Sequence, residues 1–226
     1  MAEEVPEVWP PEEPSRVVPV FPLHDVWLVP GRLLQLHVFE PRYRQMVEDS
    51  LDGPGHLVIG TVVDGHENEM SGSPPIYPLA GLGEIAKHER LEDGRFHILI
   101  VGLYRVRIQE VESDRLYRRV RAERVHESTG ERDRARSLHE DLQRAVLDSI
   151  PEKLHEKAGL DALGERPLGH LADLLSLQVD AESDVRQKIF QTLDVVERAD
   201  LALAAYEAMR RSDGGDPRDP GEGDAS

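Results

Sequence analysis

VPVFPLHDVWLVPGRLLQLHVFEPRYRQMVED, residues 18–49, is the stretch of sequence that decides the fold. Its pattern predicts a strand, a turn, a second strand and a helix. The first strand contains Pro19 and Pro22. Because proline has no N–H to donate to a neighbouring strand, we expect this strand to lie at an edge of the sheet or to leave it quickly. The turn is predicted at Pro30 and Gly31, since proline fixes φ and glycine accepts a positive φ.

The second half of this stretch predicts a half-buried strand followed by a short helix. Three apolar residues alternate with polar ones, which is typical of a strand with one buried face: Leu34, Leu36 and Val38. Pro41 is suited to the first position of a helix. Three further apolar residues share one helical face: Tyr43, Met46 and Val47. The predicted helix therefore turns Arg42 and Gln45 away from its apolar face.

The middle of the chain predicts a series of antiparallel strands. Residues 56–63 form an apolar, β-branched run, and residues 64–75 have the composition of a loop. A hairpin is predicted from strands 83–91 and 96–101, with Asp93 and Gly94 in its turn. Gly102 is expected to end the second strand. Two further alternating segments, 104–108 and 116–125, favour an α+β fold with a curled antiparallel sheet or barrel.

A helical spacing of apolar residues replaces the strand pattern after about residue 130. Ala135, Leu138 and Leu142 begin the first helical stripe, and Pro151 and Pro167 are expected to start new helices. Asp180 is a candidate cap for a fourth helix. Asp194 forms a capping box at the start of the last helix, with a glutamate three residues later. We therefore predict a β-rich part over 15–127 and a helical part over 131–211, between disordered tails at 1–14 (acidic) and 212–226.

The composition limits the classes of function. The chain has 226 residues, a net charge of −17 and no cysteine. The negative charge disfavours nucleic acid and anionic membranes as partners, and thiolate metal sites and disulfides are excluded. We find no apolar run of membrane-spanning length and no secretory signal pattern. The expected location is the cytoplasm.

Motifs for catalysis were sought and are not present in these 226 residues. A nucleotide-binding P-loop requires Gly-Lys followed by Ser or Thr, and the sequence has no Gly-Lys pair. Each of the lysines has the setting of a solvated surface residue: Lys87, Lys153, Lys157 and Lys188. His-Glu occurs five times, but none of these pairs has the second histidine of a zinc-protease helix. We predict no catalytic residue, no metal site and no cofactor.

Three segments resemble the N-terminal, substrate-binding domain of Lon protease, a family that includes a stand-alone bacterial form. They are FPL…PG…L.L.VFEPRYRQMV at 21–47, GLGEIAKHERLEDGRFHILIVGLYRVRI at 81–108 and LADLLSLQVDAESDVRQKIFQTLDVVERADLA at 171–202. They occur in the family's order and cover most of residues 16–211. The resemblance implies a PUA-like β pseudo-barrel followed by a helical bundle. It also implies a non-catalytic module that binds unfolded or exposed segments of other proteins.

Two modes of peptide binding are open at this point. An unpaired strand edge could accept an extended peptide, or a groove between barrel and helices could hold apolar side chains. The helix after Pro41 is the first place to look, with Arg42 and Gln45 as exposed candidates for peptide binding. The sequence predicts neither the client nor the oligomeric state.

Two alternative functions come from other classes. The first is a stand-alone Lon-like peptidase. The second is RNA binding, because PUA-like folds include RNA-binding members and seven arginines lie on two predicted strands: Arg105, Arg107, Arg115, Arg118, Arg119, Arg121 and Arg124. The interpretation we favour for these arginines is a solvent-exposed sheet face with ion pairs to nearby carboxylates, because stacking aromatic residues are few.

Overall fold

The fold is described from a computed structural model, which covers residues 15–130, 132–151, 153, 155 and 160–213. The predicted disordered tails at 1–14 and, from residue 214, at the C-terminus lie outside these residues, as does most of the short helix predicted after Pro151. The chain divides between His126 and Glu127 into two compact units. We call them the sheet unit and the helical unit, and each is described by itself.

The described residues of the sheet unit form six strands and one α-helix. The strands are β1 Ser15–Leu23, β2 Leu33–Val38, β3 His56–Thr61, β4 Leu79–Arg90, β5 Phe96–Val111 and β6 Arg119–Arg124. The helix, α1, spans Pro41–Leu51. The strand order is β2-β5-β4-β3-β1-β6, and β6 also pairs with β5. Five strands thus form a closed ring of pairings, and β2 is attached to the outside of β5.

The expectation that the first strand lies at an edge is wrong. β1 pairs with β6 over residues 15–19 and with β3 over residues 20–23. Val20 donates its N–H to the carbonyl of Arg118, on the β6 side. Because backbone direction alternates along a strand, the nitrogen of Pro22 faces the same side, beyond the last β6 pair. The nitrogen of Pro19 faces β3 before that pairing begins. Neither proline therefore interrupts a ladder.

The sheet is mixed, and the prediction of a purely antiparallel sheet is wrong. β1 and β3 run parallel, in the register Val20 with Val58 and Leu23 with Thr61. Every other pairing is antiparallel. A parallel pair requires a crossover connection, and the segment between the two strands supplies one because it contains β2 and α1.

β4 and β5 form the long central hairpin that the Asp93 and Gly94 signal predicts. Gly94 has φ +79° and donates its N–H to the carbonyl of Leu91. Gly102, however, does not end the second strand, because β5 continues to Val111. Instead, the register of β5 against β4 shifts between Leu82 and Gly83, and this irregularity accommodates one extra residue on β5.

A buried connection crosses the sheet at two glycines. Leu28 and Val29, between β1 and β2, are almost fully buried. A Cβ on Gly81 would lie 2.1 Å from the carbonyl oxygen of Leu28, and a Cβ on Gly102 would lie 2.1 Å from that of Val29. The connection can therefore contact β4 and β5 only where a side chain is missing. The predicted turn follows at once, with Gly31 at φ +79°.

α1 has the apolar face expected from its sequence. Tyr43, Met46 and Val47 are buried, and Pro41 occupies the first turn. The ring of Tyr43 lies 4.3 Å from that of Phe21 on β1. This contact docks the helix on the core of the sheet unit.

The helical unit contains four α-helices among its described residues. They are α2 Arg132–Ser149, α3 Leu168–Ser176, α4 Ser183–Gln191 and α5 Val195–Asp213, with a 3-10 helix at Leu160–Glu165. α2, α3 and α5 pack around Leu142, Leu171 and Ala199, which are fully buried. No helix in the described parts of the chain combines the length and apolar composition needed to cross a membrane.

The two predicted helix caps differ in outcome. Asp194 caps α5 as expected, because its Oδ1 accepts the N–H groups of Val196 and Glu197 at 2.9 and 3.0 Å. Asp180 does not cap α4. That helix opens after Glu182, whose carbonyl accepts the N–H of Val185.

Candidate functional site

The free edge of β2 is the candidate site. Among the described residues, β2 pairs only with β5, in the register Leu33 with Val101. The carbonyl of Arg32 accepts the N–H of Gly102 at 2.9 Å. Because antiparallel pairs alternate between bonded and non-bonded, the backbone groups of residues 33, 35 and 37 face away from β5. Within the described residues, no backbone group bonds to them.

The side chains along this edge are exposed, and apolar residues lie at both ends. Leu33 is 63% exposed and Phe39, directly after β2, is 60% exposed. Between them, Gln35 and His37 are also exposed. The ring of His37 lies 6.1 Å from that of Phe39. The edge therefore offers backbone donors and acceptors flanked by two apolar surfaces, which is the arrangement that an added strand would use.

Arg42, a predicted peptide-binding residue, contacts the loop at 64–75. Its guanidinium donates to the carbonyl oxygens of Met70 and Gly72, and its Nε lies 3.0 Å from Glu40 Oε2. The side chain is only 20% exposed, so it is less accessible than expected. The reason is that the loop folds back over α1, which the sequence of either segment does not show.

Gln45, the second predicted residue, also makes a contact within the sheet unit. Its Oε1 accepts the N–H of Leu116 at 2.9 Å, and the residue is half-buried. Leu116 itself is 67% exposed. The structure thus places Arg42 and Gln45 on α1 as expected, but the side chain of each is hydrogen-bonded to the backbone of a loop.

The arginine just before β6 forms an ion pair with a carboxylate of β5. Arg118 contacts Glu110 through two nitrogens, each at 2.8 Å, and this hydrogen bonding lowers the pKa of Glu110. Arg107 lies opposite Glu123 in the β5–β6 register. Arg105 is buried. These contacts agree with the ion-paired interpretation of this face, and RNA binding stays a prediction.

The described residues show no catalytic cluster. Lys87, Lys153 and Lys188 are exposed, and Lys157 lies outside the described residues. A nucleophilic dyad needs a lysine with a pKa lowered by burial or by a neighbouring cation, and exposed lysines lack the burial. No group of three or more His, Asp or Glu residues in the described parts of the chain is arranged to hold a metal ion.

Solved structures share this fold. The N-terminal domain of the Mycobacterium avium complex Lon protease matches with a TM-score of 0.65 at 16% identity, covering 85% of this chain and 98% of that chain. A Lon N-terminal domain protein from Xanthomonas campestris matches with a TM-score of 0.58 at 21% identity, covering 84% and 98%. The fold is therefore that of a Lon N-terminal domain.

The chain belongs to the family of the ATP-dependent protease La (LON) substrate-binding domain, whose model matches residues 17–205. The resemblance in the sequence is thereby confirmed. Among curated relatives, Lon protease 2 of Myxococcus xanthus is 26% identical over 204 residues, which cover 88% of this chain and 24% of that protein. Lon protease 2 of Sorangium cellulosum is 28% identical over 202 residues, covering 86% and 25%. The chain spans about a quarter of the length of these relatives.

The β2 edge is the part of the site that sequence reasoning did not locate. The alternation of Leu34, Leu36 and Val38 predicts the strand itself. Its position at the end of the strand order depends on which distant strands pair. One local signal was available, since exposed apolar residues, Leu33 and Phe39, lie on both sides of the strand.

Proposed function

We propose that this chain is a non-catalytic module that binds exposed, extended segments of other proteins by pairing them with the free edge of β2. The carrying observation is that β2 has one neighbouring strand among the described residues and presents the outward backbone groups of residues 33, 35 and 37. Membership of a substrate-binding family supports a protein as the partner. Backbone pairing suits such a partner because it requires no particular sequence.

Side chains at the edge add a preference for some clients. An added strand would place alternate side chains near Leu33 and Phe39, which are mostly exposed. Burial of apolar surface contributes about 25 cal/mol per Å², so apolar clients gain affinity at these two positions. The net charge of −17 disfavours acidic clients by long-range repulsion. Neutral or basic segments with spaced apolar residues are therefore the proposed clients.

Arg42 and Gln45 enter this proposal as a second contact region. α1 begins two residues after Phe39, so a client that extends past the end of β2 would reach the helix. There it would meet the side chains of Arg42 and Gln45, which are already hydrogen-bonded to two loops. Binding at Arg42 and Gln45 would then be coupled to movement of residues 64–75 or of Leu116.

Three further attributes of the module are inferred from the family. The closed ring of five strands supports a PUA-like pseudo-barrel as its architecture. The curated relatives are bacterial Lon proteases, which supports a module of the bacterial cytoplasm. The match is to the substrate-binding domain and not to the catalytic region, which supports a module without ATP hydrolysis or proteolysis of its own. A purified sample should therefore lack ATPase and protease activity and should bind exposed segments of other proteins.

The decisive experiment compares Gln35→Pro with Gln35→Ala. Proline removes the outward N–H at position 35 and is tolerated at a strand edge, whereas alanine keeps that N–H. Titration with reduced, carbamidomethylated ribonuclease A, a basic chain that is permanently unfolded, should show affinity reduced about fivefold or more by Gln35→Pro. Gln35→Ala should stay within about twofold of the parent chain.

Two outcomes would count against the proposal. If Gln35→Pro binds as well as Gln35→Ala, strand addition at β2 is wrong. If the parent chain does not bind the unfolded probe at low salt, the module is not a general binder of exposed segments. Incubation with casein, with and without ATP, tests the peptidase alternative, which requires cleavage.

A further inference from the structure

Two histidines lie side by side on the exposed face of β2 and β5. His37 and His97 are direct partners in the β2–β5 register, and both are exposed. They form a non-bonded pair, because the backbone groups of residue 37 face away from β5. Side chains in such a pair are closer together than those in a bonded pair. The two ring centroids accordingly lie 4.9 Å apart, with the ring planes inclined at 59°.

A carboxylate on the next strand orients one of the two rings. Glu89 on β4 is the partner of His97 in the β4–β5 register, and its Oε2 lies 3.7 Å from Nδ1 of His97. Because an ionised carboxylate can only accept hydrogen bonds, it favours the tautomer of His97 that has its proton on Nδ1. That tautomer leaves a lone pair on Nε2. A carboxylate on the far side of the ring is the usual partner of a metal-binding histidine.

The spacing of the two rings fits a shared metal ion. A zinc ion bonds a histidine nitrogen at about 2.0–2.1 Å, which places the ion about 3.2 Å from the ring centroid. Two such rings, at an angle of about 90–110° to each other at the ion, would have their centroids about 4.5–5.2 Å apart. The observed distance of 4.9 Å lies within this range. Rotation about χ2, which is a soft torsion in histidine, can turn one nitrogen of each ring toward the ion.

The surroundings of the pair favour a cation. The side chain of His97 is 46% exposed and that of Glu89 is 71% exposed, so an ion can approach directly from solvent. The net charge of −17 attracts cations to the surface at long range. The carboxylate of Glu89 adds a negative charge beside one of the two imidazoles.

We propose that His37 and His97 together bind one divalent cation of the class that prefers imidazole ligands, represented by Zn²⁺. Imidazole suits Zn²⁺, Cu²⁺ and Ni²⁺, whereas Mg²⁺ and Ca²⁺ prefer oxygen ligands. The protein supplies two ligands and water completes the coordination. This agrees with the finding that the described residues contain no cluster of three or more His, Asp or Glu residues arranged around a metal ion.

Local sequence motifs did not indicate this site, because its two ligands come from strands that are far apart in the chain. The proposal is also independent of strand addition at the β2 edge, since metal binding is measured without a client.

Calorimetric titration of the full chain with zinc chloride tests the proposal. We expect a saturable site whose affinity falls about tenfold or more in His97→Gln, and equally in His37→Gln. The double variant should bind within about twofold of either single variant, because the two ligands act as one unit and their effects are not additive. If circular dichroism shows that His97→Gln is unfolded, His37→Gln, on the exposed edge strand, gives the same test.

His88→Gln is the matched control. His88 is exposed and directly precedes Glu89 on β4, so it removes an imidazole from the same neighbourhood. Its partner in the register is Ile98, which is buried. Since successive residues of a strand point to opposite faces, His88 does not share the face of His97. Its loss should change the zinc affinity less than about twofold.

Three results would overturn the proposal. The first is the absence of a saturable zinc site in the parent chain. The second is an equal loss of affinity in His88→Gln and His97→Gln, since that result indicates scattered single histidines. The third is displacement of zinc by an equal concentration of Mg²⁺, because that result indicates binding to acidic surface charge.

Discussion

The sheet unit and the helical unit each contain a buried feature that restricts single substitutions, but for different physical reasons. In the sheet unit, a backbone crosses β4 and β5 at distances that exclude even a methyl group on Gly81 or Gly102. In the helical unit, the fully buried side chain of Arg198 carries a charge. The first position is fixed by space and the second by electrostatics.

Arg198 joins three parts of the helical unit. Its Nη2 lies 2.7 Å from Glu127 Oε1, and its Nε lies 3.2 Å from Oδ1 of Asp173 on α3. Its Nη1 donates to the carbonyl of Thr192, between α4 and α5. Asp173 is itself buried. The guanidinium therefore compensates a buried carboxylate while it links the start of the unit to α3 and to the junction between α4 and α5.

The difference between the two positions teaches which kind of change each can tolerate. A steric restriction has no substitute, because any side chain collides with main-chain atoms. A buried ion pair can be exchanged for apolar residues at little cost, whereas loss of one partner is expensive. Each of the following predictions tests one side of this contrast.

The largest effect is expected for Arg198→Met. The substitution leaves Asp173 buried without its cation, which should cost about 3–5 kcal/mol of unfolding free energy. Urea denaturation followed by far-UV circular dichroism, which mainly reports helices, measures this loss. The double variant Arg198→Met with Asp173→Leu should recover most of it, because no buried charge then remains.

The matched control is Arg134→Met in the same unit. Arg134 pairs with Asp200 at 2.6 Å, but both side chains are exposed, so its loss should cost less than about 1 kcal/mol. Equal losses for Arg134→Met and Arg198→Met would show that burial of Arg198 does not matter, and the contrast would then fail.

The next effect is expected for Gly102→Ala. The new methyl group would lie 2.1 Å from the carbonyl oxygen of Val29, and the forced backbone shift should cost about 2–3 kcal/mol. Tryptophan fluorescence follows unfolding of the sheet unit, because Trp27 is buried in the crossing connection. Gly53→Ala is the control, since its Cβ would meet nothing closer than 3.7 Å. A Gly102→Ala chain as stable as Gly53→Ala would contradict the close crossing.

The smallest effect is expected for Tyr117→Phe, at about 1–2 kcal/mol through loss of the hydrogen bond to Asp49. The pKa of Tyr117 is raised to about 12, first by burial and then by that hydrogen bond. A raised folded-state pKa gives stability that is complete below the unfolded value of about 10 and is lost as the pH rises from there toward 12. Denaturation followed by tryptophan fluorescence between these limits should show a steeper decline for the parent chain than for Tyr117→Phe. Parallel pH profiles would refute the assignment.

Features with a local signature could be predicted from the sequence. The turns at Gly31 and Gly94 need a positive φ, and both glycines adopt one. The face of α1 follows from spacing alone. The free strand edge and the Arg42 contacts could not be predicted in this way. They depend on which distant segments meet, and Arg42 bonds to residues about 30 positions away.

Two wrong expectations share that cause. Proline normally marks an edge strand, but β1 changes neighbour midway and so keeps both prolines out of the ladder. Glycine normally ends an apolar run, but Gly102 continues β5 because another segment crosses there. In both cases the local rule is physically sound, and the tertiary arrangement removes the cost on which the rule is based.

The pairing of β1 with β6 has a consequence for synthesis on the ribosome. Ser15 lies opposite Glu123, so the earliest strand waits for the latest one before the ring can close. Contacts of such long sequence separation slow folding, and until they form, the facing edges of β1 and β6 stay unpaired. The same adjacency suits a circular permutant of the sheet unit alone, since a short linker could join residue 124 to residue 15 and new termini could open in the loop at 64–75.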